Sequence, residues 1–293
     1  MMIRLELSVD TLAGAVAADA LGADRVELCA AAVDGGLTPS RGVVARAVRG
    51  CHRAEVHVLI RPRGGDFTYT GDEVAAMVAD IADAVEAGAA GVVTGALDAA
   101  GRVDRAVLRE LVAAARGRPV TFHRAIDVSA DPLAALAEVA DLGVARVLTS
   151  GAATTAEAGA ALIAEMVRQA PPGVAIMACG GIRPHNARAV LAATGVRDLH
   201  AAPRRPVRSA ALGADRAGAV GQPGTVGQPG AVGQPGGAGQ RVSFASGNPP
   251  AGYDRYELDE QAARELRAIT AGPFRGTPVD GTPVAGAPFD PAG

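Results

Sequence analysis

The chain contains no lysine and no tryptophan; all 28 of its basic residues are arginine. Without a lysine amine there is no Schiff-base aldolase chemistry and no covalent attachment of pyridoxal phosphate. The same absence removes the P-loop, whose lysine reaches the nucleotide phosphates. Aromatic residues are only 3% of the chain, so a core must be built from Ala, Val, Leu and Ile. There are three cysteines, Cys29, Cys51 and Cys179, with no CxxC pair and no Cys/His zinc spacing. That speaks against structural zinc and reads as free thiols in a reducing compartment. No apolar run reaches the ~18 residues of a membrane span. A formal net charge of -3 provides no basic field for nucleic acid. The N-terminus runs straight into a strand-like stretch carrying Arg4 and Glu6, unlike a signal peptide. The expectation is a cytoplasmic protein without membrane or nucleic-acid partners.

What is present is a chain of 293 residues, 49% hydrophobic, long enough for one large α/β barrel. Strand-like runs fall at 3–9, 25–29, 55–60, 91–94, 119–123, 146–149, 174–178 and 197–201. Ala-rich amphipathic stretches separate them. In one, Val74, Met77, Val78, Ile81 and Val85 line a helix face. Thr70 and Glu73 form a capping-box pattern ahead of it, and Gly88 follows as a stop. Asp131-Pro132 reads as an N-cap with proline at the first helical position. Gly22, Gly143 and Gly195 each close a helix before a strand. Alternating β and α units imply a parallel sheet, and eight of them in about 200 residues predict a single (β/α)8 TIM-type barrel. An open doubly wound sheet would show a glycine-rich fingerprint after the first strand, where this chain has Ser8-Val9-Asp10.

The pentad VGQPG occurs at 220–224, 226–230 and 232–236. Glycine and proline at that density disfavour helix, sheet and core packing. The organisation predicted is a barrel over 1–205, a low-complexity flexible insertion over 206–251, the last barrel helix over 252–270 and a disordered tail over 271–293. As a βα connection, the insertion is expected near the barrel mouth.

In such barrels the functional side chains come from the C-terminal ends of the strands. Glu6 lies on the first strand, and Glu27 and Cys29 share a face of the second. The third carries His57 and Arg61 at one parity, followed by Arg63 and Gly64-Gly65-Asp66. The fifth ends at His123 and Arg124, with Asp127 beyond; the sixth ends in Ser150-Gly151, the seventh in Cys179-Gly180-Gly181, and the eighth supplies His200. Charges inside apolar strands are costly unless paired or used. Glu27, His57 and His123 are the acid/base candidates. Arg61, Arg63 and Arg124 suit a small anionic ligand, with Glu6, Asp66 and His200 beside them. Ser150-Gly151 and Gly180-Gly181 resemble loops whose N–H groups hold phosphate. Cys29 with a nearby histidine is the candidate for a soft ion such as Cu(I), and a hard-ion site could draw on Glu6, Glu27 and Asp66.

The runs ADRVELCAAAVDGGLTPS (23–40), HVLIRPRGGDFTYT (57–70), TFHRAIDVSADPLAAL (121–136), RVLTSGAATTAEAG (146–159) and IMACGGIRPHN (176–186) resemble the CutC family, in order. YDRYELDEQAARELRAI near the C-terminus is similar to the family's last helix. The resemblance implies a TIM-type barrel, a cytoplasmic setting, a homo-oligomer and a role in copper homeostasis, with copper as the bound ion and no organic cofactor. It implies a pocket at Glu27, Cys29, His57, Arg61, Arg63, Asp66, His123, Arg124, Ser150 and Gly151. Cys179, where the family has a small residue, and the long repeat insertion depart from its pattern. The shared motifs are rich in Arg, His, Asp and Glu and poor in Cys and Met. Two functions therefore stand open: copper-ion binding, or an enzyme acting on a phosphorylated or carboxylated small molecule.

Overall fold

The computed structural model of the chain describes residues 2–207 and 255–272. Eight parallel strands close into a barrel: β1 (Arg4–Val9), β2 (Arg25–Leu28), β3 (Glu55–Leu59), β4 (Gly91–Thr94), β5 (Val120–Phe122), β6 (Arg146–Thr149), β7 (Ala175–Ala178) and β8 (Asp198–Ala201). Helices α1 (Leu12–Ala20), α2 (Arg41–Gly50), α3 (Gly71–Glu86), α4 (Arg105–Ala114), α5 (Pro132–Asp141), α6 (Ala160–Gln169) and α7 (Ala187–Thr194) follow the first seven strands in turn. This is the (β/α)8 TIM-type barrel that the alternation predicted.

Local chemistry sets the element ends. Thr70 and Glu73 form a reciprocal capping box at α3. The Asp131 carboxylate accepts from the N–H groups of Leu133 and Ala134 at α5, with Pro132 behind it. Gly22, Gly143 and Gly195 all have positive φ, the left-handed geometry that ends a helix cheaply only with glycine.

Strand parity divides the side chains. Leu5, Leu7, Val26, Leu28, Val56, Val58 and Val147 turn outward into one apolar core shared with helix residues such as Met77, Ile81, Leu108 and Leu111. The opposite parity fills the lumen, and there the chain spends its charge. Among the described residues, two small apolar groups sit inside, Cys29 with Leu59 and Val93, and Leu148 with Met177 and Cys179.

After β8 the structure departs from the expected boundaries. Two short strands, β9 (Arg204–Val207) and β10 (Arg255–Leu258), pair with each other. Of the described residues, Arg204–Val207 and 255–257 belong to a unit separate from the barrel. The last helix, α8 (Glu260–Ala271), begins only after Asp259, whose carboxylate accepts from Ala262 N–H. The stretch expected as helix over 252–270 is thus a strand and then a helix. The N-cap at Asp259 divides them, and Arg-Tyr-Glu-Leu alternates as a strand does. Beyond residues 206–207 and 271–272, the expected insertion, its placement at the mouth and the expected tail lie outside the described residues.

Candidate active site in the barrel lumen

The deepest lumen residues are charged. Arg25 on β2 is fully buried. Its Nε donates to Glu6 Oε2 at 3.0 Å, its Nη2 to Asp198, and the same Nη2 lies 3.4 Å from Met177 Sδ. Arg146 on β6 donates to Thr121 Oγ1 at 3.1 Å, and its Nε lies 3.5 Å from Asp198. Burial, then the Arg25 charge, pulls the Arg146 guanidinium down from its ordinary value. Two guanidiniums and two carboxylates from four strands thus lock the inner layer. Parity could have flagged Arg25, Arg146 and Asp198, since Arg25 shares the face of Glu27 and Asp198 that of His200; no motif draws attention to them.

Above this layer Glu6 carries a second bond. Its Oε1 lies 2.7 Å from His200 Nδ1. The far nitrogen, His200 Nε2, is 3.9 Å from Glu27 Oε2. Burial alone would raise the Glu6 carboxyl. The His200 bond and the charges of His200, Arg25 and His57 outweigh it and hold Glu6 well below the usual carboxylate range. A carboxylate fixed as an anion accepts a hydrogen bond from Nδ1–H, which sets the His200 tautomer and turns Nε2 toward Glu27. The side chains of His200 and Glu27 keep 12% and 8% exposure, against 0% for Glu6. All three groups are thus largely buried, Glu6 completely.

Among the described residues, Glu6, Glu27 and His200 are the one group of three His, Cys, Asp or Glu side chains whose ligand atoms lie within 4.8 Å of one another. Glu6 already serves Arg25 and His200 with both oxygens. A cation here would meet Glu27 and His200 Nε2 first, with Glu6 in the orienting place that carboxylates take behind metal-bound histidines. The donors are oxygen and nitrogen, a set suited to borderline divalent ions, Cu(II) included, more than to Cu(I).

Asp66 is not part of this group; it sits largely exposed on the loop after β3, 3.0 Å from Arg63. Cys29 is buried beside Leu59 and Val93, with Sγ 3.5 Å from the Val9 carbonyl and 3.9 Å from Ser8 Oγ. Burial pushes the Cys179 thiol up, and burial and then Asp19 push Cys51 up to about 11. His57 is fully buried against Gly91, its Nε2 3.7 Å from Glu55, and neither ring nitrogen has a hydrogen-bond partner.

The arginines expected as clamps are largely occupied. Arg61 donates to the carbonyls of Asp34, Gly36 and Gly65 at 3.0, 3.2 and 2.8 Å, and its guanidinium carbon sits 5.1 Å from the centre of the Phe67 ring. Arg63 holds Glu73 at 2.6 Å together with three loop carbonyls. Arg124 is half-exposed, with Nε on Asp127 at 2.9 Å and Nη2 on Ser150 Oγ at 2.8 Å.

The Ser150-Gly151 loop holds an anion, but an internal one. The Asp127 carboxylate receives Thr149 Oγ1 at 2.6 Å and the N–H groups of Ser150 and Ala152 at 3.1 Å. Gly151 N–H goes to Thr149 Oγ1. Burial raises the Asp127 carboxyl, but these bonds and Arg124 bring it below its ordinary value. Asp127 thus stands where a phosphate was expected. On the β7 loop, Gly180 and Gly181 have φ of 90° and 74°, and the Gly181 carbonyl accepts from Asn186.

His123 ends β5. Its Nδ1 accepts from Ala125 N–H at 3.3 Å, its ring lies 4.7 Å from Phe67, and its Nε2 is buried without a partner. Burial, then the Arg61 charge, lowers His123 to about 3. It is a neutral imidazole with its proton on Nε2.

A family model described as the CutC family matches residues 3–204. A CutC family protein of Xanthomonas axonopodis pv. citri (strain 306) is 50% identical over 200 residues, 68% of this chain and 83% of that protein. One from Bacteroides thetaiotaomicron is 41% identical over 206 residues, 70% of this chain and 83% of that protein. The solved CutC of Streptococcus agalactiae, to which a copper-homeostasis role has been ascribed, is 32% identical with a TM-score of 0.64, covering 68% of this chain and 98% of that one. With its barrel spanned by the family match, this chain belongs to the CutC family.

Proposed function

We propose that the mouth of the barrel is an acid–base site for a small carboxylated or phosphorylated molecule. The supporting observation is the Glu6–His200–Glu27 chain: a buried anion, a tautomer-fixed imidazole 2.7 Å from it, and a second, largely buried carboxylate 3.9 Å beyond. Glu27 and His200 Nε2 exchange protons with the ligand, and Glu6 positions His200. Arg124, half in solvent at the same end, is the cation best placed to attract an anionic substrate. A reducing, cytoplasmic setting and self-association accompany this reading. Cys29, Cys51 and Cys179 are all thiols, and among the described residues no helix is long and apolar enough to cross a membrane.

Copper binding is the second reading, favoured by the role ascribed to the Streptococcus relative. Its donors would be Glu27 and His200 for Cu(II), or Cys29 for Cu(I). One pair of experiments separates the two. The full chain is incubated in D2O with a panel of small carboxylates and phosphate esters, and C–H to C–D exchange is followed by proton NMR. Exchange in the wild type, lost in Glu27→Gln and His200→Asn with melting temperature unchanged, supports the acid–base site. No exchange across the panel, with tight Cu(I) binding that Cys29→Ser removes, overturns it in favour of copper.

A further inference from the structure

Across the lumen from the Glu6–His200–Glu27 chain, the end of β5 carries an unused N–H group. His123 follows Thr121, which meets Arg146 inside the barrel, so alternation turns His123 toward the same interior. The Ala125 N–H occupies Nδ1, which leaves the proton on Nε2. That nitrogen is buried and has no hydrogen-bond partner. A buried donor without an acceptor is rare and calls for an explanation.

The position is built. A Cβ at Gly95, just past β4, would lie 2.7 Å from His123 Nδ1 and 2.8 Å from Cε1, so only glycine there lets the ring lie where it does. The Phe67 ring packs against it, tilted by 55° with centroids 4.7 Å apart, and Arg61 lies over Phe67. Arg61 Nε is a second buried donor with no partner. Its charge acts on His123, and with burial keeps the imidazole neutral. An N–H donor beside a guanidinium repels a cation and cannot ligate a metal without losing its proton. It suits an oxygen bearing partial or full negative charge.

We infer that His123 Nε2–H, with Arg61 beside it, binds the carbonyl or carboxylate oxygen of a small organic acid. This rests on reading the mouth as an acid–base site and names its substrate class. The proton-accepting groups stand on the β8–β1–β2 wall, and the oxygen-binding donors on the β3–β5 wall.

The test uses the full chain labelled with [15N]histidine and acetate as the probe, with chloride replacing acetate at constant ionic strength. Saturable movement of the His123 Nε2–H resonance is expected, with Nδ1 remaining an acceptor. His123→Phe should weaken acetate binding at least tenfold. His123→Gln, which keeps an N–H donor, should hold it within a few-fold of wild type and shows that the position tolerates replacement. His200→Asn should leave the acetate response intact, so loss of proton exchange and loss of oxygen binding are separable. The inference is overturned if acetate leaves His123 unmoved, if chloride moves it equally, or if His123→Phe binds acetate as the wild type does.

Discussion

Replacing Glu6 by Gln should unfold the inner layer of the barrel more readily than any surface change. Glu6 is fully buried between Arg25 Nε at 3.0 Å and His200 Nδ1 at 2.7 Å. The amide preserves volume and can still accept one bond. It leaves Arg25 fully buried with Asp198 as its one remaining carboxylate, close to a second guanidinium on Arg146. Removing one partner of a buried ion pair costs roughly 3–5 kcal/mol, and the surviving Asp198 contact sets the expectation at the low end, about 3 kcal/mol at pH 7. The pH dependence gives a sharper check. The Glu6 carboxyl titrates in the fold well below its ordinary value of 4.5. Its ionised form therefore adds stability that is present above the unfolded value and is lost as pH falls below it. Gln cannot titrate, so the gap between wild type and variant should shrink as the pH drops from about 5 toward 3. Urea unfolding at a series of pH values, with the m-value held as a control, measures it. A gap under ~1 kcal/mol at pH 7, or one of the same size at pH 3.5, would refute the assignment of Glu6 as a structural anion.

Three other perturbations test the remaining geometry. His123, lowered to about 3, should stay neutral from pH 9 to pH 5 by NMR. Because the unfolded chain takes up that proton below its ordinary value near 6.5, His123 subtracts up to ~1.4 kcal/mol of stability per pH unit below it, and ordinary titration would sink this. Asp127→Ala should remove the acceptor for Thr149, Ser150 and Ala152. A loss of about 2–4 kcal/mol is expected, partly recovered by millimolar sulfate in a thermal melt; sulfate acting equally on wild type would argue against a vacated anion nest. Gly91→Ala places a Cβ 2.5 Å from His57 Cε1 and 2.8 Å from the Pro119 carbonyl. It should cost ~1–3 kcal/mol, and a neutral result would mean that His57 repacks freely.

The barrel was legible because short strand runs alternate with amphipathic helical stretches, several of which carry their own cap or glycine stop. Thr70-Glu73 and Asp131-Pro132 behave in the structure as their spacing predicts. Lumen parity was also legible, which is why Glu6, Glu27, His57, Arg61, His123 and His200 all end within or at the edge of the interior. Their partners were not. Arg61 and Arg63 look like anion clamps in the sequence, but the loop after β3 folds back under them and presents carbonyls instead. That return path depends on turn geometry, including Gly65 at φ 85°, which no side-chain pattern encodes. The partners of Asp127 were not legible for a similar reason: the 3-10 turn Arg124–Val128 carries its carboxylate into the β6 loop.

The lumen's chemistry also bears on the metal question. A thiolate copper centre needs soft donors brought together and deprotonated. Here Cys29 and Cys179 belong to separate apolar groups, and burial raises Cys179. The polar groups that do converge are carboxylates and an imidazole on one wall and N–H donors on the other. A bare ion needs donors all around one point. A molecule lying across the lumen needs a proton acceptor at one end and an oxygen-binding donor at the other. The separation of the two walls follows from which strands carry which residues, with Glu6, Glu27 and His200 on adjacent β1, β2 and β8, and Arg61 and His123 at the ends of β3 and β5. That division favours an extended organic ligand over a lone metal ion.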